Sequence, residues 1–277
     1  MTQLVTKVNP LTKKLLPHDN NVKLSEDPLD KGYRMWCLVG PKGSGKTSVL
    51  FNALTNKESP WYKLFDRVYM FSPTGENSEY LKPFIKDLKE RQQFYDVLTE
   101  ATLADCLKKL EEFNYRFINA RHPQTRQQKE EEMKLLRMGV KRDELPEAVL
   151  GEKINKKPPH SLIMFDDCLN ELKGSTAKSI QGRLWTRNRH YFTNVAITTQ
   201  RYMKLNPTIR NNIDTLSFWK TANQKEYDTL EDDLNVDSKT LKRVFDFATE
   251  EPFSFLHITF NAGQPLFFKK FDRIVLP

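Results

Sequence analysis

The clearest chemical signal in this chain is Gly-Pro-Lys-Gly-Ser-Gly-Lys-Thr at Gly40–Thr47. It fits the pattern G-x-x-x-x-G-K-[ST] at every fixed position. Gly40, Gly43 and Gly45 let a backbone bend around phosphate oxygens and turn its N–H groups inward. Lys46 is spaced to reach the β- and γ-phosphates of a nucleotide, and the Thr47 hydroxyl to ligate Mg²⁺. Pro41, Lys42, Ser44 and Ser48 complete the segment that would wrap the phosphates. A merely glycine-rich turn is the bland reading. A chance match in a chain this long is on the order of one in a hundred.

A second group of residues supplies acids. Asp166 and Asp167 close the most apolar run of the chain, Ser-Leu-Ile-Met-Phe-Asp-Asp at Ser161–Asp167. Two carboxylates at the tip of a buried strand are costly unless a cation sits between them and a ligand. The expectation is that Asp166 holds Mg²⁺ through water and that Asp167 polarises an attacking water. Gln200 ends the next apolar run, Asn194–Gln200, where an amide would bind that water or the γ-phosphate. Arg187, Arg189 and Arg210 are cations that could neutralise charge on a phosphoryl group in transfer.

These residues need a scaffold that gathers them. Tyr33–Gly40 and Arg67–Ser72 read as buried strands, as do Ser161–Asp167, Asn194–Gln200 and Ile213–Lys220. Between them lie helical spacings: Ser44–Leu54, then Leu81, Phe84, Ile85 and Leu88, then Leu103, Cys106, Leu107, Leu110 and Phe113. Thr102 and Asp105 have capping-box spacing ahead of the last stripe. Helices are also predicted over Gln224–Leu234 and Ser238–Thr249. Two further strands, Phe253–Phe260 and Pro265–Ile274, would join near Gly263. Strands of a doubly wound sheet open into one crevice at their C-terminal ends, which would bring the acids to the phosphate loop. The organisation expected is an arm over residues 1–32 and one domain over 33–277. That domain carries a charged, mostly helical insertion at about 119–160, with like charges clustered at Glu130–Glu132.

Composition narrows the setting. The 277 residues carry a net charge of +8, which suits a polyanionic partner such as nucleic acid. Cys37, Cys106 and Cys168 form no paired motif, which argues against a zinc site or a disulfide framework. Met1–Pro17 has no apolar run of signal-peptide length, and no stretch approaches a membrane-spanning helix. A soluble intracellular protein is expected.

The order of motifs resembles the FtsK/HerA superfamily of DNA-pumping P-loop ATPases, and within it the poxvirus-type genome-packaging ATPases of large DNA viruses and virophages. The phosphate loop and the Leu162–Asp167 run carry part of the likeness. More specific are Arg189 and His190, a strand ending in Thr199 and Gln200, Tyr202, Ile209-Arg210-Asn211 and Asp214. The match covers roughly Tyr33 to Lys220, interrupted by the insertion. The resemblance implies a RecA/FtsK-like α/β fold, a mostly parallel central sheet flanked by helices. It implies ATP and Mg²⁺ as ligands, and a homo-oligomeric ring, pentamer or hexamer, with hydrolysis between subunits. It further implies translocation of double-stranded DNA into a capsid, contact with a capsid or portal protein, and a place in the virion or host cytoplasm. Gln200 matches the family's sensor glutamine, and Arg189 and Arg210 match arginines considered for a finger acting on the neighbouring subunit. Asp167 departs from the pattern, since many members carry glutamate there.

Other readings stand beside this one. A GTPase would need Asn-Lys-x-Asp late in the domain, whereas Asn56-Lys57 comes early and lacks the aspartate. A small-molecule kinase would need an arginine-rich lid, which nothing in the sequence identifies. A DNA helicase and a nucleotide-gated assembly scaffold share the same motifs and stay open.

Overall fold

Apolar runs without polar alternation must be covered on both faces, and the central strands of this chain are. The structure, a computed structural model, describes residues 28–29, 31–77, 79, 81–152, 154, 157–172, 179–234, 236–261 and 264–275. Its strands are β1 (Met35–Val39), β2 (Arg67–Phe71), β3 (Phe94–Tyr95), β4 (Ser161–Asp166), β5 (Thr193–Thr199), β6 (Thr215–Trp219), β7 (Phe255–Asn261), β8 (Gln264–Lys269) and β9 (Asp272–Arg273). They form one nine-stranded sheet in the order β3-β2-β4-β5-β1-β6-β7-β8-β9. The first six strands pair in parallel and the last three are antiparallel.

Helices cover both faces: α1 (Lys46–Thr55), α2 (Lys82–Glu90), α3 (Glu100–Ile118), α4 (Arg126–Arg137), α5 (Glu147–Leu150), α6 (Leu169–Leu172), α7 (Ile180–Arg187), α8 (Pro207–Arg210), α9 (Gln224–Leu234) and α10 (Ser238–Ala248). Successive residues of β1 point into two separate cores. Met35, Cys37 and Val39 enter one with α3, α7, α9 and α10, while Trp36 and Leu38 enter the other with α1 and α2. The expected α/β architecture is therefore what the chain forms. All three cysteines are free and buried. No helix among the described residues is long and apolar enough to cross a membrane.

Several boundaries differ from the sequence reading. Helix α3 begins at Glu100, not after Thr102. Thr99 is its cap, accepting from the Thr102 N–H, while the Thr102 hydroxyl accepts from the Thr99 N–H. A polar pair with the right spacing was present, but three residues earlier. Strand β3 lacks the length to show periodicity and was not foreseen. Phe253 and Ser254 precede β7 rather than belonging to it, and Lys270 and Phe271 form a turn between β8 and β9. The join near Gly263 lies outside the described residues, as do residues 1–27 and 30 of the expected arm. Leu29 is buried against the second core, and the Pro28 carbonyl meets His257 Nε2 at 2.9 Å.

The charged stretch folds into α4, a 3-10 turn at Arg142–Glu144 and α5. Two backbone bonds close its base, from the His122 N–H to the Glu152 carbonyl and from the Ile154 N–H to the Ala120 carbonyl, each 2.9 Å. Glu132, the last of the clustered like charges, is buried and accepts from Gln124 Nε2 at 2.6 Å.

Candidate active site

Strand β1 ends where the chain must leave the sheet beside a bulky neighbour. A Cβ on Gly40 would sit 2.8 Å from Trp219 Cβ, so only glycine fits there. The Gly40 N–H donates to the Thr199 carbonyl at 3.1 Å, fixing the loop's first residue to β5. Gly43 and Gly45 adopt φ of 78° and 97°, left-handed conformations that let successive N–H groups converge. Helix α1 follows with no side-chain cap and no acid in its first turn. Its free N–H groups and dipole are thus available to an anion. Lys46 Nζ folds back to donate to the Gly40 and Pro41 carbonyls at 2.7 and 2.9 Å. Burial lowers its pKa from the ordinary lysine value, and Asp167 and Asp166 oppose that fall.

Opposite the loop stands Asp166, only 8% exposed. Its Oδ1 accepts from Thr47 Oγ1 at 3.1 Å and Thr198 Oγ1 at 2.6 Å, and its Oδ2 from Ser72 Oγ at 3.1 Å. Asp167 has φ of 55°, a conformation that aspartate tolerates better than most residues. Its Oδ1 accepts from Gln200 Nε2 at 3.3 Å, and its N–H lies 3.4 Å from Thr198 Oγ1. Because β5 lies between β1 and β4 in the sheet, Gln200 is set between the lysine and the acids. Lys42, Gly43, Lys46, Thr47, Thr74, Asp166, Asp167, Thr198 and Gln200 line one open cavity of about 490 Å³.

The donor set suits a hard cation. Thr47 and Asp166 offer oxygen only, which Mg²⁺ accepts. Among the described residues no three or more His, Cys, Asp or Glu side chains gather to cage a metal. A cation here would complete its shell with water and phosphate oxygens, the usual mode for Mg²⁺ at nucleotide sites. Ser72, Thr74 and Thr198 were missed in the sequence. Their only signal was a hydroxyl residue at or just beyond the C-terminal end of an apolar run.

The arginines are elsewhere. Arg189 sits in the 3-10 turn Asn188–Tyr191, ahead of β5, so the length of that strand, about 20 Å, separates it from the loop. Its guanidinium lies 3.3 Å from Asp214, which Arg34 also approaches at 3.5 Å. Arg210 is largely buried, with Nε 3.3 Å from Asp233 and the guanidinium over the Tyr202 ring at 5.6 Å. Arg187 is exposed at the end of α7. None of the three lines the cavity. Ser48 is exposed on the first turn of α1, and Pro41 is exposed at the loop's start.

No protein-family model matches the chain, and no curated protein matches it. Solved structures do. The genome packaging NTPase B204 of Sulfolobus turreted icosahedral virus 2, in complex with AMP, is similar over 89% of this chain and 100% of that one. The TM-score is 0.54 at 15% identity. The same protein with AMPPCP is similar over 88% and 98%, with TM-score 0.53 and 15% identity. With ATP-gammaS the figures are 86% and 98%, TM-score 0.51 and 13%. The chain thus has the fold of a viral genome-packaging NTPase, the architecture that the resemblance implied.

Proposed function

We propose that this chain is an ATPase that drives double-stranded DNA into a capsid, working as a ring with ATP held between subunits. The observation that carries the reading is the convergence of Lys46, Thr47, Asp166, Asp167 and Gln200 on one open cavity. The backbone from Gly40 to Ser48 binds the phosphates, and Lys46 leaves its two carbonyl partners to meet the γ-phosphate. Thr47 directly and Asp166 through water would hold Mg²⁺, which when bound would neutralise charge on the phosphate oxygens. Asp167 accepts the proton of the attacking water, and Gln200 orients that water through its contact with Asp167. Arg189 or Arg210 reaches a site only across a subunit boundary. Arg189 is the better placed, being the more exposed of the two. The net charge of +8 and the shared fold with a packaging NTPase support DNA as the polymer moved.

ATP hydrolysis measured with and without duplex DNA tests the reading, with Lys46→Ala as control. DNA-stimulated turnover that Lys46→Ala abolishes is the expected result, and no turnover in the wild type returns the chain to a scaffold. Arg189→Ala subunits mixed with Lys46→Ala subunits should recover activity that neither has alone. Unwinding of a forked duplex would instead identify a helicase.

A further inference from the structure

The cavity that would take the phosphates offers a base no side chain to stack on. Its lining is lysine, glycine, threonine, aspartate and glutamine, without an aromatic or aliphatic side chain. A nucleoside attached to phosphates in the loop would find an apolar partner only outside that lining. The loop's other flank carries Phe253. Its side chain is 71% exposed, and its ring edge lies 4.0 Å from where a Cβ on Gly45 would project.

Two features set this residue apart from an ordinary surface aromatic. Its backbone has φ of 60°, in the left-handed region that a bulky residue adopts only when its surroundings enforce it. The surroundings do enforce it. Lys269 Nζ bonds Glu250 Oε1 at 2.5 Å and Glu251 Oε1 at 3.0 Å, Lys270 Nζ lies 3.8 Å from Glu251 Oε2, and the Ser254 N–H closes a turn onto the Glu251 carbonyl. Lys269 also covers the ring of Phe247 at 4.7 Å, so that neighbouring aromatic is occupied. The segment Glu250–Ser254 is thus fastened to β8, and it holds one bare aromatic face against the phosphate loop. Pro252, directly before Phe253, stiffens the same turn.

We infer that Phe253 is the nucleobase platform of this site, stacking the base of a purine nucleoside triphosphate whose phosphates occupy the Gly40–Thr47 loop. The inference rests on the reading of that loop as a nucleotide site. A phenyl ring offers a π face and no hydrogen-bonding group, so it ranks bases by stacking area: adenine and guanine alike, both above uracil and cytosine.

Calorimetric titration of the full chain with Mg·ATP, Mg·UTP and inorganic tripolyphosphate separates base from phosphate recognition. Phe253→Ala should weaken ATP about tenfold, the usual worth of one stacked base. It should leave tripolyphosphate unchanged and erase the preference of ATP over UTP, while Phe253→Trp keeps both. The side chain is exposed, so neither substitution removes core packing, and matched melting temperatures check this. Equal ATP affinity in wild type and Phe253→Ala overturns the inference while leaving the phosphate site standing. Equal weakening of ATP and tripolyphosphate overturns it as well, assigning Phe253 to loop geometry. Wild-type protein that binds neither ligand overturns the site itself.

Discussion

Asp166 and Asp214 stand at opposite ends of the same sheet, and each has three donor groups within 3.5 Å. Around Asp166 the donors are hydroxyls of Ser72, Thr47 and Thr198. Around Asp214 they are the Met35 N–H and the guanidinium groups of Arg34 and Arg189. Hydroxyl dipoles solvate a carboxylate without cancelling its charge, whereas two arginines cancel it. The first arrangement keeps a buried negative charge ready for a cation and opens into a cavity. The second borders a cavity of its own, but its charge is already paired in a brace between the ends of β1, β5 and β6. Hydrogen-bond count would not have separated the two; charge balance does.

Removing each charge should therefore have opposite consequences. Asp166→Asn is expected to lower ATP turnover about a thousandfold, as loss of a central electrostatic group does. Its melting temperature should equal or exceed that of the wild type, because a buried carboxylate solvated mainly by hydroxyls has gone. A clear loss of stability would show that Asp166 is a brace like Asp214. Asp167→Asn sharpens the division within the site. Turnover should fall about a hundredfold, in the range of general-base catalysis, with ATP affinity retained, because the amide cannot take a proton from water. Turnover at the wild-type rate would remove Asp167 as base.

Asp214→Asn should do the reverse of Asp166→Asn. Unfolding in urea should register a loss of about 3 kcal/mol, the upper end for losing hydrogen bonds to a charged group, while an isolated subunit binds ATP as before. The smallest expected effect concerns a third solution to burial, in which the charge is given up. His257 is fully buried between Ser217 Oγ at 2.8 Å and the Pro28 carbonyl at 2.9 Å, and burial lowers its pKa from 6.5 to about 4. Nε2–H donates to Pro28, so Nδ1 receives the Ser217 proton, and Ser217 Oγ in turn accepts from Trp36 Nε1 at 3.0 Å. Above pH 6.5 the ring is neutral whether folded or unfolded, and nothing is lost. As pH falls from 6.5 toward 4 the unfolded chain takes up a proton that the folded chain refuses, so stability declines. The decline should reach about 2 kcal/mol by pH 5. His257→Gln should flatten that part of the melting curve, and an unchanged slope would point to other groups.

What the sequence determined by itself was local. Gly40–Thr47 announces its chemistry because consecutive residues build the phosphate loop, and backbone geometry ties their spacing to a bound anion. Strands such as Leu162–Phe165 and stripes such as Leu81, Ile85 and Leu88 were legible because periodicity needs only neighbours. Tertiary structure decided which distant side chains meet. That β5 lies between β1 and β4 brings Gln200 and Thr198 to Asp166 and Asp167, and no spacing along the chain encodes a strand order. The parallel direction of β5 sets Arg189, which precedes that strand, at the far end of the sheet, where Asp214 takes it. Phe253, read as the start of a strand, was turned out against Gly45 by a left-handed residue and ion pairs to β8. Those contacts are chosen by which faces bury together across the folded chain, a non-local energy that a reading along the sequence does not contain.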